Sequence, residues 1–225
     1  MLGPCTLDKR LTSSPFCLAR LRANFGILEA RAPRRAADTS AFGGRRLHLH
    51  VMRHSPPENM RAFLESQRTI LRPFQLEDAE SAHKWFSDPH VMQFTPTGPE
   101  LNIDGTRARI AKYIAHQREK GFAKWIVIDR ASHEPIGDSG ILWFEEFNSF
   151  ELGYRLRSDY WRRGLATEIA KTWVAAARPF GLSELHAFAH IDNFPSLAVL
   201  RNSGFIKIRQ ASVMGMESFI FHHSL

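Results

Sequence analysis

Between Phe150 and Arg178 the chain runs from a strand, Phe150 to Arg157, through a short loop with two arginines and a glycine, straight into a helix that opens near Gly164. That junction constrains the fold more than any other stretch. A strand that feeds a helix without a long connection belongs to a layered sheet-and-helix domain. The first N–H groups of such a helix have no partner within it and point out of its end, where the macrodipole favours negative charge. Gly164 and Ala166 give room for a bulky anion to approach the backbone, and Arg162 and Arg163 add positive charge beside it. From the residues alone two readings stand: an anion cradle, or an ordinary strand-to-helix turn with two solvated arginines.

The elements around the junction extend the same architecture. Thr69 to Phe74 reads as a short strand stopped by Pro73, and Leu76 to Phe86 as an amphipathic helix with acids in its first turn. Asp88 to Phe94 begins a loop, and a second helix spans Ile103 to Lys120. Phe122 to Asp129, Ile136 to Phe144 and Phe150 to Arg157 form a β-meander whose short turns suit antiparallel hairpins. After the helix from Gly164 to Arg178 come a strand, Glu184 to Ile191, a helix, Pro195 to Ser203, and two closing strands near Phe205 to Arg209 and Ser218 to His222. The expectation is an α/β (α+β) domain: a mixed, mostly antiparallel twisted sheet of about six to seven strands flanked by about four helices.

Charge is distributed unevenly along the 225 residues. Residues 1–59 hold ten Lys or Arg against four acids, a net +6 of the chain's total of +7, so residues 60–225 are nearly neutral. Pro4, Pro15, Pro33, Pro56 and Pro57 interrupt any element in 1–59, which reads as a basic disordered arm; Met52 and Met60 are alternative starts, which would make the arm a start-site artefact. Arm charge alone supports nucleic-acid or ribosome contact weakly, since regular aromatic interleaving is lacking. Its Arg-rich start also fits a transit peptide, but the simpler expectation is a cytoplasmic protein, monomer or homodimer, with no membrane span. Both cysteines, Cys5 and Cys17, fall in the arm, so neither a disulfide nor a cysteine zinc site holds the domain. His186 and His190 share a face of one strand without identifiable further ligands, and no metal is expected.

The loop Trp161-Arg162-Arg163-Gly164-Leu165-Ala166 resembles the diphosphate-binding motif of the GNAT superfamily of N-acetyltransferases, which opens with Gln or Arg, has Gly at its fourth position and Gly or Ala at its sixth. Trp161 departs at the opening position. The same tryptophan is frequent in the branch of the ribosomal-protein N-terminal acetyltransferases, whose pattern Glu151, Gly153, Tyr154, Trp161, Gly164, Ala166, Thr167 and Glu168 also fit. Leu71-Arg72-Pro73, Asp88-Pro89, Ile136-Gly137 and Asn193-x-x-Ser196 ahead of Gly204-Phe205 follow that branch in order, so the resemblance covers about residues 66–225.

The resemblance implies acetyl-CoA as co-substrate and a primary amine as acceptor, on a small molecule or a protein N-terminus. It places the pantetheine arm against Tyr154 to Leu156, the diphosphate on Arg162, Arg163, Gly164, Leu165, Ala166 and Thr167, and Asn193 and Ser196 beside the cofactor. A backbone N–H near Leu156 would polarise the thioester carbonyl, a contribution of roughly 3 to 4 kcal/mol where such donors have been removed elsewhere. Glu151, on the same strand face as Gly153 and Arg155, is the candidate base, or else a carboxylate paired with a nearby arginine. The superfamily's thiolate-protonating tyrosine falls at Leu200 here, which leaves Ser196, or simple thiolate release, in its place. Asn193 and Ser196 equally suit a helix cap and first turn. The missing tyrosine also admits a non-catalytic acetyl-CoA-binding domain, a sensor or structural subunit.

Overall fold

The structure, a computed structural model, describes residues 63–225; the arm expected over 1–59 lies outside the described residues. These form eight strands, β1 Leu64–Glu65, β2 Thr69–Pro73, β3 Lys124–Asp129, β4 Pro135–Phe144, β5 Ser149–Leu156, β6 Glu184–His190, β7 Ile206–Val213 and β8 Met216–Ser224. Five helices accompany them: α1 Ala79–Phe86, α2 Pro89–Met92, α3 Ile103–Lys120, α4 Leu165–Ala177 and α5 Phe194–Asn202. Both counts exceed the expectation by one. The additions are β1, two residues long and too short to carry an alternation, and α2, a single turn started by Pro89 with Asp88 Oδ1 accepting from the His90 N–H at 2.8 Å.

Local chemistry explains why α3 matches its expected bounds while other ends shift by a residue or two. Asn102 caps its N-terminus by accepting from the Gly105 N–H, and Gly121, at φ +81°, turns the chain out of it in the left-handed region. The helix expected over Leu76–Phe86 begins instead with a 3-10 turn at Leu76–Asp78, where Asp78 accepts two bonds from Arg72 and one from the Gln75 N–H.

All eight strands join one sheet in the order β1-β2-β3-β4-β5-β6-β8-β7. Every pairing is antiparallel except β5 with β6. Register places Lys124, Gly140 and Gly153 side by side on one face, with Asp138 beside Arg155 and Leu142 beside Glu151. Helices α1 and α3 cover that face: Trp85 Nε1 donates to Asp138 and Arg155 donates to the Tyr113 hydroxyl. Trp125 and Tyr154 alternate to the other face, where Trp173 of α4 meets Trp125 edge to face at 5.2 Å and Ser196 of α5 meets the Tyr154 hydroxyl. Trp85, Trp125 and Trp173 are almost wholly buried and anchor the core on both sides of the sheet. Among the described residues no helix is long and apolar enough to cross a membrane.

Candidate active site

The parallel pair β5 and β6 touches at a single register position, Glu151 opposite His186, whereas β6 pairs with β8 along seven residues. Beyond Glu151 the two strands part, so Gly153 to Leu156 face an opening in the sheet instead of a neighbour. A sheet with such an opening exposes backbone donors and acceptors that an extended ligand can pair with.

At the end of β5 the chain enters the loop before α4. Trp161 Nε1 donates to the Leu156 carbonyl at 2.7 Å, which ties the loop to the strand it has just left. The tryptophan that departs from the motif therefore holds the loop in place. Arg162 and Gly164 both have positive φ, +60° and +75°, around Arg163, and this alternation of handedness curls successive N–H groups toward one side. Gly164 is the N-cap of α4 and supplies no side-chain acceptor, so the first N–H groups of the helix stay available. A Cβ on Gly164 would meet only Arg68 Nη2, at 3.6 Å, so the space beside it is open. These features fit a diphosphate: open backbone donors, a positive flank and room at the glycine.

Arg68 was not legible as part of this site. Its Nη1 donates to the Arg163 carbonyl at 2.8 Å, and its Nε and backbone N–H donate to Glu168, each at 2.8 Å. Ser66 Oγ adds a third bond to Glu168 at 2.6 Å. Burial pushes the Glu168 carboxyl up, but these bonds outweigh it and hold the group below its ordinary range. An acid in the first turn of α4 is thereby neutralised beside the open helix start, by residues a hundred or more positions earlier in the chain.

The remaining expected residues take several places. Leu165 is buried and anchors the start of α4, while Ala166 and Thr167 stay half-buried. Arg163 donates to the Asp159 carbonyl and lies over the Tyr160 ring at 4.8 Å. Asn193 is the N-cap of α5, accepting from the Ser196 N–H at 3.2 Å, so the capping reading applies. Ser196 Oγ lies 2.9 Å from the Tyr154 hydroxyl, which brings β5 and α5 together at the edge of the opening. Burial drives the Tyr154 hydroxyl well above the ordinary tyrosine range, with the Ser196 bond opposing only in part. Leu200 is a core residue at 1% exposure and offers no proton donor.

Glu151 is 8% exposed, and its partner is a lysine where the sequence suggested an arginine. Lys124 Nζ reaches across β4 to Glu151 Oε2 at 3.2 Å and donates to the Gly140 carbonyl at 3.1 Å. A Cβ on Gly153 would run into this ammonium, so the glycine makes its niche. Burial pushes the Lys124 ammonium down from its ordinary value, and attraction to Glu151 restores part of the loss. Next to it, Arg155 makes a two-pronged pair with Asp138, which is fully buried.

His186 and His190 do share the face that Glu151 occupies, as alternation requires. His186 packs on Phe147 at 5.5 Å and on His222 at 5.2 Å, and burial pushes its imidazole down. His190 stacks on Phe94 at 5.1 Å. Among the described residues no group of three or more His, Cys, Asp or Glu stands close enough to hold a metal ion.

Comparison with known proteins identifies the family and the fold. The model of the acetyltransferase (GNAT) domain family matches residues 68–206. An N-acetyltransferase of Bacillus subtilis (strain 168), YoaA, itself uncharacterised, is 30% identical over 146 residues, 64% of this chain and 82% of that protein. The solved ribosomal-protein-S5-alanine acetyltransferase from Vibrio fischeri superimposes with a TM-score of 0.60 at 19% identity, covering 72% of this chain and 96% of its own. The microcin C7 self-immunity acetyltransferase MccE, solved with acetyl-CoA and AMP, gives a TM-score of 0.61 at 13% identity over 71% of this chain and 93% of its own.

Proposed function

The chain belongs to the acetyltransferase (GNAT) family and is an N-acetyltransferase that draws on acetyl-CoA; we propose that it binds this donor in the opening between β5 and β6 and acetylates a primary amine by direct attack. The single-position pairing of β5 with β6, next to an open helix start, carries the reading. The MccE structure with acetyl-CoA bound, on the same fold, supports it. We assign the catalytic unit to residues 60–225 and leave the basic arm outside it, consistent with a family match that begins at residue 68.

When bound, acetyl-CoA supplies an acetyl carbon activated by its bond to sulfur. Backbone N–H groups from Arg162 to Thr167, with the Arg68 and Arg162 guanidiniums beside them, hold the diphosphate. Tyr154 to Leu156 pair with the pantetheine arm, and a backbone N–H near Leu156 stabilises the oxygen on which charge develops. Glu151 Oε1 takes the proton of the acceptor ammonium while Lys124 holds Oε2, which fixes the carboxylate in one orientation. The amine lone pair then forms the new C–N bond, the C–S bond breaks with its electron pair leaving on sulfur, and the nitrogen sheds its second proton to water as the amide forms. Ser196, backed by the Tyr154 hydroxyl, returns a proton to that sulfur.

Titrating acetyl-CoA into the full chain by calorimetry, beside Gly164→Glu, tests the reading. The substitution puts bulk and negative charge into open space and costs about 1 to 2 kcal/mol from the left-handed backbone, a loss that thermal melting registers separately. Binding by the parent and none by the folded variant is expected. Equal binding by both would remove the diphosphate from this loop.

A further inference from the structure

On the α1/α3 face the opening is bordered by aromatic rings that neither enter the core nor stand free in solvent. Phe144 packs on Phe147 at 4.7 Å and on Phe188 at 5.4 Å, and Phe147 packs on His186. At the far end Phe94 stacks on His190. All six are half-buried. Phe188 and His190 belong to the stretch of β6 beyond the Glu151–His186 pair, and alternation places them on the same face as Glu151 and Gly153. The rings therefore lie along the mouth of the opening, on the face that carries the Glu151 carboxylate. A contiguous partly exposed apolar surface at the mouth of a site marks a binding surface.

The charges at this mouth are selective. Glu145 and Glu146 lie exposed in the turn between Phe144 and Phe147 and form no ion pair among the described residues. The nearby cations are engaged: Lys124 with Glu151, Arg155 with Asp138, and Arg109 with Glu100. Arg209, whose charge reaches His186, stands on the edge strand β7 beyond β8. Uncompensated acids beside aromatic faces attract an ammonium, through charge and through the ring quadrupoles, and repel a carboxylate or phosphate.

We infer that the acceptor is a primary amine carried on an aromatic group and lacking an acidic group beside the amine. The inference rests on the acetyl-transfer reading above. An arylalkylamine and the N-terminus of a peptide that begins with an aromatic residue share this chemistry. The aromatic group packs against the mutually contacting rings of Phe144, Phe147 and Phe188, and the ammonium turns toward Glu151.

The test is a thiol-release assay on the full chain with acetyl-CoA and phenethylamine, phenylalanine, ethanolamine, and two hexapeptides that differ only in an N-terminal Phe or Asp. Phenethylamine should exceed phenylalanine and ethanolamine in kcat/KM by at least about tenfold, the scale on which an apolar pocket discriminates. Phe147→Ala and Phe188→Ala should raise the KM for phenethylamine by a similar factor and leave acetyl-CoA affinity unchanged. Glu145→Lys combined with Glu146→Lys should narrow the gap between phenethylamine and phenylalanine. The Phe-headed peptide outrunning phenethylamine assigns the amine to a polypeptide, and the reverse assigns it to a small molecule. Acetyl-CoA binding by calorimetry separates the two levels: with no binding the donor reading fails, whereas binding with no preference for the aromatic amine, or no turnover of it, overturns this inference alone.

Discussion

Lys124 Nζ and Glu151 Oε2 lie 3.2 Å apart across the intervening strand β4, an ion pair with both side chains almost wholly buried. Removing one partner strands the other charge in a place that water does not reach. Lys124→Met should therefore destabilise the protein by about 3 to 5 kcal/mol, while Lys124→Met combined with Glu151→Leu should recover most of that loss. Urea unfolding of Lys124→Met, Glu151→Leu and the double variant measures the cycle; a double loss equal to the sum of the two single losses would mean the pair carries no coupling. The pH dependence has a definite sign. Burial lowers the Lys124 value in the folded state, so the unfolded chain binds more protons between that value and the ordinary lysine range, and stability rises with pH through the window. Lys124→Met should flatten that rise.

Arg68 and Glu168 provide a second titration in the opposite pH range. The Glu168 carboxyl is held below its ordinary value, so its stabilisation is complete above the unfolded carboxylate range and is lost as pH falls through the depressed value. Arg68→Leu removes the Nε hydrogen bond and the guanidinium charge that help to hold it down. The difference in Tm between parent and variant should be largest near neutral pH and shrink in acid, as read from melting curves across the range. The same variant leaves a carboxylate uncompensated at the start of α4, so acetyl-CoA binding should weaken about tenfold, in line with a charge-assisted contact of 1 to 2 kcal/mol. Unchanged affinity would place the diphosphate away from this helix.

The Tyr154 and Ser196 hydroxyls, 2.9 Å apart, should act as one unit in returning the proton to sulfur. Ser196→Ala is expected to lower kcat by about a hundredfold, the scale of a lost general acid. Tyr154→Phe should give a comparable loss, and the double variant little more than either single one, as groups acting together do not add. Steady-state kinetics with acetyl-CoA affinity measured in parallel decides the matter. Additive losses would assign the two hydroxyls separate roles, and no loss from Ser196→Ala would leave sulfur to depart as the thiolate.

Much of this molecule could be read before its structure was seen, because the relevant signals are local. The caps at Asn102 and Gly121 bound α3, alternation fixed the face of Glu151, and the loop from Trp161 to Thr167 declared its turn into a helix. Where the local signal was weak, the elements were missed: β1 is too short to alternate, and α2 is one turn behind a proline.

The sequence by itself thus determined the order of all but two short elements, the family and a glycine-led helix start, all properties of residues close together along the chain. The tertiary structure alone decided that Lys124 would neutralise Glu151 from two strands away, that Arg68 would close the salt bridge at Glu168 from the other end of the domain, and that Tyr154 would reach Ser196. It also brought Phe144, Phe147 and Phe188 together and stacked Phe94 on His190. These partners are set by strand order and register, and no period of 2 or 3.6 residues encodes which distant strand lies beside which.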